Sequence, residues 1–247
     1  MATQGRHMAG HEAWFAAGGG MESVTGFISP RSARTFTSLL SWQLQAGLQG
    51  SLVEIGTYYG KTFVGMALAA GPQDRIIGVD VFPDDTAEVL VSHLNRVVPA
   101  GTVANVRFAK TDSRTVTPEA WAGLLEQPAR FVHIDGDHAY EAVFNDIQLA
   151  ASFLVEGGIV VIDDYLHDWF PDVTEGIIDG LRAAPTLHPV AVIPRSGPLM
   201  GGGTKLVCTT QHAVEPCFRL IQATLPELTF RAARIADRQA RAFMNYD

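Results

Sequence analysis

The sequence predicts an α/β protein: a mostly parallel, seven-stranded sheet with a final antiparallel strand and helices on both faces. Three observations carry this. Short continuous apolar runs alternate with amphipathic segments from about residue 50 onward, the pattern of strands buried on both faces of a parallel sheet. Phe131-Val-His-Ile-Asp-Gly-Asp-His138 and Ile159-Val-Val-Ile-Asp-Asp-Tyr165 are apolar runs that end in carboxylates. The segment 139–158 between them reads as a helix closed by Gly157 and Gly158, so the two strands run parallel and their acids leave at one sheet edge. Finally, the runs 190–193 and 205–208 flank a glycine-rich loop (197–203) with no convincing helix, as an antiparallel pair would.

Each element follows in order. Residues 11–50 read as helices covering one side of the sheet, with Ser29-Pro30 as a helix start and 33–46 apolar at helical spacing. Residues 52–55 form a strand, 56–60 a glycine-bounded loop and 62–70 a helix. Strand 76–81, helix 85–97, strand 106–109 and helix 118–126 continue the alternation, and helix 173–183 follows the acidic strands. The last stretch, 216–247, reads as a helix and then a docked tail. The expected organisation is a disordered tail over 1–10 and a single domain over 11–247. Within it, 11–50 is a helical cover, 51–210 the core and 211–247 an extension.

Composition narrows the class. The chain has 247 residues, 47% hydrophobic and 18% charged, with a formal net charge of −8. That is globular composition with enough length for a full core. An acidic chain without a Lys/Arg cluster is a poor nucleic-acid binder. No run of 18 apolar residues predicts a membrane span, and no basic region precedes an apolar stretch as in a signal peptide. With only Cys208 and Cys217, a reduced cytoplasmic location is expected.

The acids carry the first chemical inference. Neighbouring strands lie about 4.8 Å apart, so Asp135, Asp163 and Asp164 crowd one volume. Like charges that close need a cation or strongly raised pKa values. Oxygen ligands suit a hard divalent ion such as Mg2+, at the edge where open α/β sheets bind ligands.

The loop Glu54-Ile-Gly-Thr-Tyr-Tyr-Gly-Lys-Thr62 lets the backbone approach a ligand. It misses the phosphate-binding P-loop by one residue, because three rather than four residues separate Gly56 from Gly60. It misses the dinucleotide fingerprint because Tyr58 stands where a glycine is needed, which disfavours an NAD-dependent oxidoreductase. An acid, an apolar residue, Gly56 and then Gly60 fit the S-adenosylmethionine loop of class I methyltransferases. Asp80 ends the next strand, placed to accept the ribose hydroxyls, and Asp112-Ser113 follows the third strand, where a polar pair meets the adenine amino group.

Together, Glu-Ile-Gly-x-x-x-Gly-Lys-Thr, Val-Asp, His-Ile-Asp-Gly-Asp-His-x-Tyr-Glu and Gly-Gly-x-x-x-x-Asp-Asp-Tyr resemble S-adenosylmethionine-dependent O-methyltransferases acting on sugar hydroxyls of natural products. These are the macrocin-type and aminocoumarin-sugar enzymes. The resemblance spans about residues 50–170 and implies the Rossmann-like class I methyltransferase fold. It implies Mg2+ held by Asp135, Asp163 and Asp164, and a general base from Asp137 or His138. Cofactor contacts fall to Glu54, Gly56, Tyr58, Gly60, Thr62, Asp80, Asp112, Ser113 and Asp135. The expected partner is a small hydroxylated acceptor, with neither nucleic acid nor membrane, in a chain that can form a homo-oligomer. Competing readings are a catechol-type metal-dependent methyltransferase and a non-catalytic S-adenosylmethionine-fold binding protein.

Other residues have weaker claims. His133 reads as a packed core histidine. His167, Asp168 and Trp169 line an acceptor pocket or form a surface turn. Lys61 pairs with Glu54 or another neighbour, and Ser196–Gly203 is flexible enough for a lid.

Overall fold

The computed structural model of the chain describes residues 9–197 and 203–245. The expected tail and the proposed lid fall largely outside these residues. Nine strands form one sheet: β1 (Ser51–Ile55), β2 (Ile76–Asp80), β3 (Val106–Lys110), β4 (Ala129–Ile134), β5 (Leu154–Ile162), β6 (His188–Ile193), β7 (Lys205–Thr209), β8 (Thr229–Ile235) and β9 (Arg238–Met244). The helices are α1 (Gly10–Phe15), α2 (Pro30–Gln45), α3 (Lys61–Leu68), α4 (Thr86–Val97), α5 (Ala100–Val103), α6 (Pro118–Leu125), α7 (Tyr140–Phe153), α8 (Pro171–Ala183) and α9 (Val214–Thr224). None among the described residues is long and apolar enough to cross a membrane.

The sheet order is β3-β2-β1-β4-β5-β7-β6-β9-β8. Strands β3 to β5 are parallel, and β7 runs antiparallel to both β5 and β6. The order reverses between β1 and β4, and that switch point opens a crevice at the carboxyl ends of the strands. Strand alternation splits the core. Leu52, Ile76, Phe131 and Ile159 face one layer, with α1 to α4 and α9, while Val53, Ile77, Val132 and Val160 face the other, with α6 to α8. Fully burying a side chain such as Phe36 stabilises the fold by about 1.5–3 kcal/mol, and Phe36 is wholly covered. Helix α2 begins where the sequence indicates: the Ser29 side chain accepts a hydrogen bond from the Ser32 N–H, and Pro30 takes the first turn.

Three sequence expectations are corrected. The sheet has nine strands rather than seven, because the expected C-terminal tail is a hairpin. Strand β9 adds parallel to β6, and β8 adds antiparallel to β9. Its two-residue turn, Ala236-Asp237, has positive φ at both positions (46° and 65°), the geometry of the tight hairpin turns normally signalled by Asn-Gly or Asp-Gly. The helix after the first acidic strand ends at Phe153, five residues early. Leu154 is extended (φ −77°, ψ 131°) and pairs with Ala129. Gly157 and Gly158 then occupy a bulge in β5, where the register jumps from Ala129↔Leu154 to Phe131↔Ile159, rather than a helix end.

Candidate active site

The strand tips are staggered by backbone hydrogen bonds that step across the sheet. Gly56 N–H donates to Val79 O at 2.9 Å, Asp135 N–H to Ile55 O at 2.8 Å, and Asp163 N–H to Ile134 O at 2.9 Å. Parallel pairing with Ile55, Ile134 and Ile162 in register therefore delivers the cofactor loop and both acid pairs to one edge. They line a single cavity of about 660 Å3.

The loop end is built by backbone constraint. Gly56 has φ +84°, and a Cβ there would lie 1.9 Å from the Asp135 carbonyl oxygen, so only glycine fits. Gly60 (φ +87°) caps α3 instead, against Leu90. Asp80 Oδ2 accepts hydrogen bonds from the N–H groups of Thr57 (2.7 Å) and Tyr58 (2.9 Å), and its Oδ1 accepts from Phe82 N–H at 2.7 Å. Asp80 thus holds the loop's shape and lines the cavity. Tyr58 is exposed with φ 47° and packs edge-on against Tyr59. Thr62 is buried in the first turn of α3 and lines the cavity. Glu54 is buried and its Oε1 meets His133 Nδ1 at 2.6 Å. Burial and the nearby Asp80 charge hold the Glu54 carboxyl well above its usual range. Burial and the Lys205 ammonium push His133 down to about 3, so its imidazole is neutral. His133 is thus a core histidine with a polar partner, and that partner is the one suggested for Lys61.

Asp112 caps the short turn after β3 and binds Arg114, with Oδ2 at 2.6 Å from its Nη2. The guanidinium holds Asp112 below its usual pKa. Arg114 also lies 3.4 Å from Asp137, whose side chain is 56% exposed. Ser113 lines the cavity beside them.

The acid cluster forms the other end. Asp163 and Asp164 are 5% and 7% exposed. Asp164 takes a left-handed backbone (φ 57°), a strained setting common at functional sites. Its Oδ2 is 2.9 Å from His138 Nε2, and the His138 ring stacks on Phe170 at 4.1 Å. The Asp164 hydrogen bond outweighs burial and raises the His138 pKa. Burial and the Asp163 charge push Asp135 well above the usual carboxylate range. Donor atoms of Asp135, His138 and Asp164 lie within 4.8 Å of one another, as do those of His133, Asp135 and Asp163. This donor set fits a divalent ion.

Sequence reasoning did not single out Lys205, Arg114 or Phe170. Lys205 is 1% exposed and its ammonium is paired with Asp163 Oδ2. A lysine opening an otherwise apolar strand was the available signal. Trp169 is exposed and lines the cavity, and His167 stacks on Phe170.

Comparison with known proteins bears on the fold. Residues 53–165 match the model of a family described as a methyltransferase domain. A cofactor-bound protein from MTB, Rv0187, superposes with a TM-score of 0.54 at 22% identity, covering 70% of this chain and 78% of that one. The TDP-rhamnose 3′-O-methyltransferase of calicheamicin biosynthesis gives 0.52 at 20% identity, over 70% and 78%. An O-methyltransferase from Bacillus cereus, in complex with SAH, gives 0.56 at 16% identity, over 78% and 86%. An uncharacterized protein of Acanthamoeba polyphaga mimivirus, R132, is 42% identical over 45 residues, 18% of this chain and one fifth (20%) of that protein's length. The fold is that of class I methyltransferases, and residues 53–165 are similar to a methyltransferase domain.

Proposed function

We propose that the chain transfers the methyl group of S-adenosylmethionine to a hydroxyl of a small molecule, with a divalent metal, and that the favoured acceptor is a sugar of a natural product or glycoconjugate. One observation carries this reading: the glycine loop with Asp80 and the Asp135–Asp164–His138 group line the same cavity. The motif string and the activity of the structurally similar TDP-rhamnose 3′-O-methyltransferase support a sugar. A cytoplasmic location goes with this reading.

The reaction is an in-line displacement. The acceptor oxygen attacks the methyl carbon, the carbon–sulfur bond breaks with its electron pair staying on sulfur, and the hydroxyl proton passes to a base. The products are a methyl ether and S-adenosylhomocysteine. The donor is already activated by its positive charge, so the protein must orient and deprotonate the acceptor. Gly56, Tyr58, Thr62, Asp80, Asp112 and Ser113 hold the donor, and Asp137 or His138 takes the proton. Asp135, Asp163 and Asp164, with His138 alongside, supply ligands for the metal. A bound divalent ion makes a coordinated hydroxyl more acidic and fixes its direction.

A catechol-type acceptor is the second reading, favoured by Phe27, Trp169 and Phe170 around the cavity. Turnover of catechols but of no sugar selects it. The primary test is titration calorimetry with S-adenosylhomocysteine, with and without Mg2+, on wild type and Asp164→Ala. Retained cofactor-product binding with loss of metal binding in the variant is expected. Full activity of Asp164→Ala in the presence of a chelator removes the metal from the mechanism, and absence of cofactor-product binding refutes the whole reading.

A further inference from the structure

The acid cluster contains two groups of donor atoms, each close enough together to hold a cation, that share Asp135. The inner one lies among His133, Asp135 and Asp163, the outer one among Asp135, His138 and Asp164. The inner position is already supplied with a cation. Lys205 opens β7 immediately beside the end of β5, because Leu206 pairs with Ile162 in register. Its side chain is wholly buried and its ammonium lies on Asp163 Oδ2. The other oxygen of Asp163 accepts the Asp164 N–H at 2.7 Å. Both Asp163 oxygens are thus engaged by protein donors. A buried ammonium cannot be left without its carboxylate except at a large penalty. All three residues of the outer position, Asp135, His138 and Asp164, line the open cavity; of the inner group Asp163 also reaches it but is paired with Lys205, and His133 does not line it.

We infer that Lys205 is the permanent counter-ion of Asp163, and that the divalent ion is held one position outward by Asp135, Asp164 and His138. The inference rests on the metal-dependent reading above and narrows its ligand set. It has two chemical consequences. A set of two carboxylates and one imidazole favours a metal that accepts nitrogen, such as Mn2+, over Mg2+, which prefers oxygen and water. A histidine occupied as a ligand cannot also take the acceptor's proton, which leaves Asp137 as the base.

The experiment is calorimetric titration of the full chain with MnCl2 and with MgCl2, for wild type, Asp163→Asn and His138→Ala, with S-adenosylhomocysteine binding as the check on folding. The expected result is Mn2+ tighter than Mg2+ in wild type and Mn2+ affinity within about threefold of wild type in Asp163→Asn. In His138→Ala the loss should be about tenfold or more, the scale of perturbed metal sites. If Asp163→Asn fails to fold because Lys205 is left unpaired, the double variant Asp163→Asn/Lys205→Met removes both charges and should keep the Mn2+ affinity. A folded Asp163→Asn or double variant that no longer binds Mn2+ overturns the inference and leaves the metal reading standing. Unchanged affinity in His138→Ala does the same. A wild type that binds neither metal overturns the metal reading, and the inference with it.

Discussion

At the scale of single residues, the site depends on positions where one atom decides the outcome. Gly56 is the clearest. Its positive φ and the Asp135 carbonyl 1.9 Å from any added Cβ mean that Gly56→Ala must displace the strand tip carrying Asp135. Strain of that kind costs about 1–3 kcal/mol, and the displacement separates cofactor loop from acids. We expect Gly56→Ala to lower the denaturant midpoint and to weaken S-adenosylhomocysteine binding together; a variant with wild-type affinity would show that the close approach does not matter. Asp146, on α7 behind the Asp135–Gly136–Asp137 turn, is a different case. It is wholly buried and neither oxygen has a hydrogen-bond partner. Burial, only partly offset by Ser113 and Asn145 nearby, raises its pKa from 3.8 to about 6. Between those values the native state holds more protons than the unfolded chain, so stability falls as pH rises through this window and the penalty is complete above it. Two units correspond to about 3 kcal/mol at most. Asp146→Asn should therefore gain stability at pH 8 and lose that gain toward pH 4, as read by urea unfolding at both. A pH-independent difference would contradict this assignment.

At the scale of elements, the parallel core was legible because its strands are continuous apolar runs that end in polar residues with a function at the tip. Strands β1 to β5 and the helices between them follow the sequence pattern to within a few residues at nearly every end. The misses have physical causes. Leu154 to Glu156 could continue a helix by propensity, but pairing of Leu154 with Ala129 overrides it. The β8–β9 hairpin hides because its turn uses Ala236-Asp237 and its outer strand exposes Arg231 and Arg234, which blurs apolar alternation. The site was legible where acids follow apolar runs. It was not legible at Lys205, because period-two patterning cannot tell which strand-opening charge turns inward. One buried cluster at the opposite sheet edge separates fold from site. Arg130, at the start of β4, meets Asp74 at 2.8 Å, Gln43 of α2 at 2.9 Å and the Ala69 carbonyl at 2.9 Å, and is wholly buried. Removing one partner of such a pair destabilises by about 3–5 kcal/mol. Asp74→Ala should lose stability on that scale in denaturant titration, while its affinity for S-adenosylhomocysteine well below the transition stays at the wild-type value. A loss of affinity under those native conditions would place the cluster in the binding machinery.

At the scale of the whole molecule, the question is whether both helical layers and the C-terminal extension unfold as one unit. The sheet argues that they do. Strand β9 pairs with β6, which pairs with β7, which pairs with β5, so hydrogen bonding runs unbroken from the extension to the strand carrying Asp163 and Asp164. The two cysteines are natural reporters, because Cys208 on β7 belongs to one apolar layer and Cys217 on α9 to the other. Both are wholly buried; burial pushes the Cys217 thiol up to about 12 and Cys208 higher still. The thiolate is the reactive form, so neither should react with a disulfide reagent at pH 8 except through opening. If residues 11–247 act as one domain, both thiols become reactive over the same denaturant range, coincident with loss of helical signal. Labelling of Cys217 well before Cys208, resolved by mass spectrometry, would instead show that α9 and the hairpin form a separately unfolding unit. In that case the extension could be removed without dismantling the strand tips that form the site.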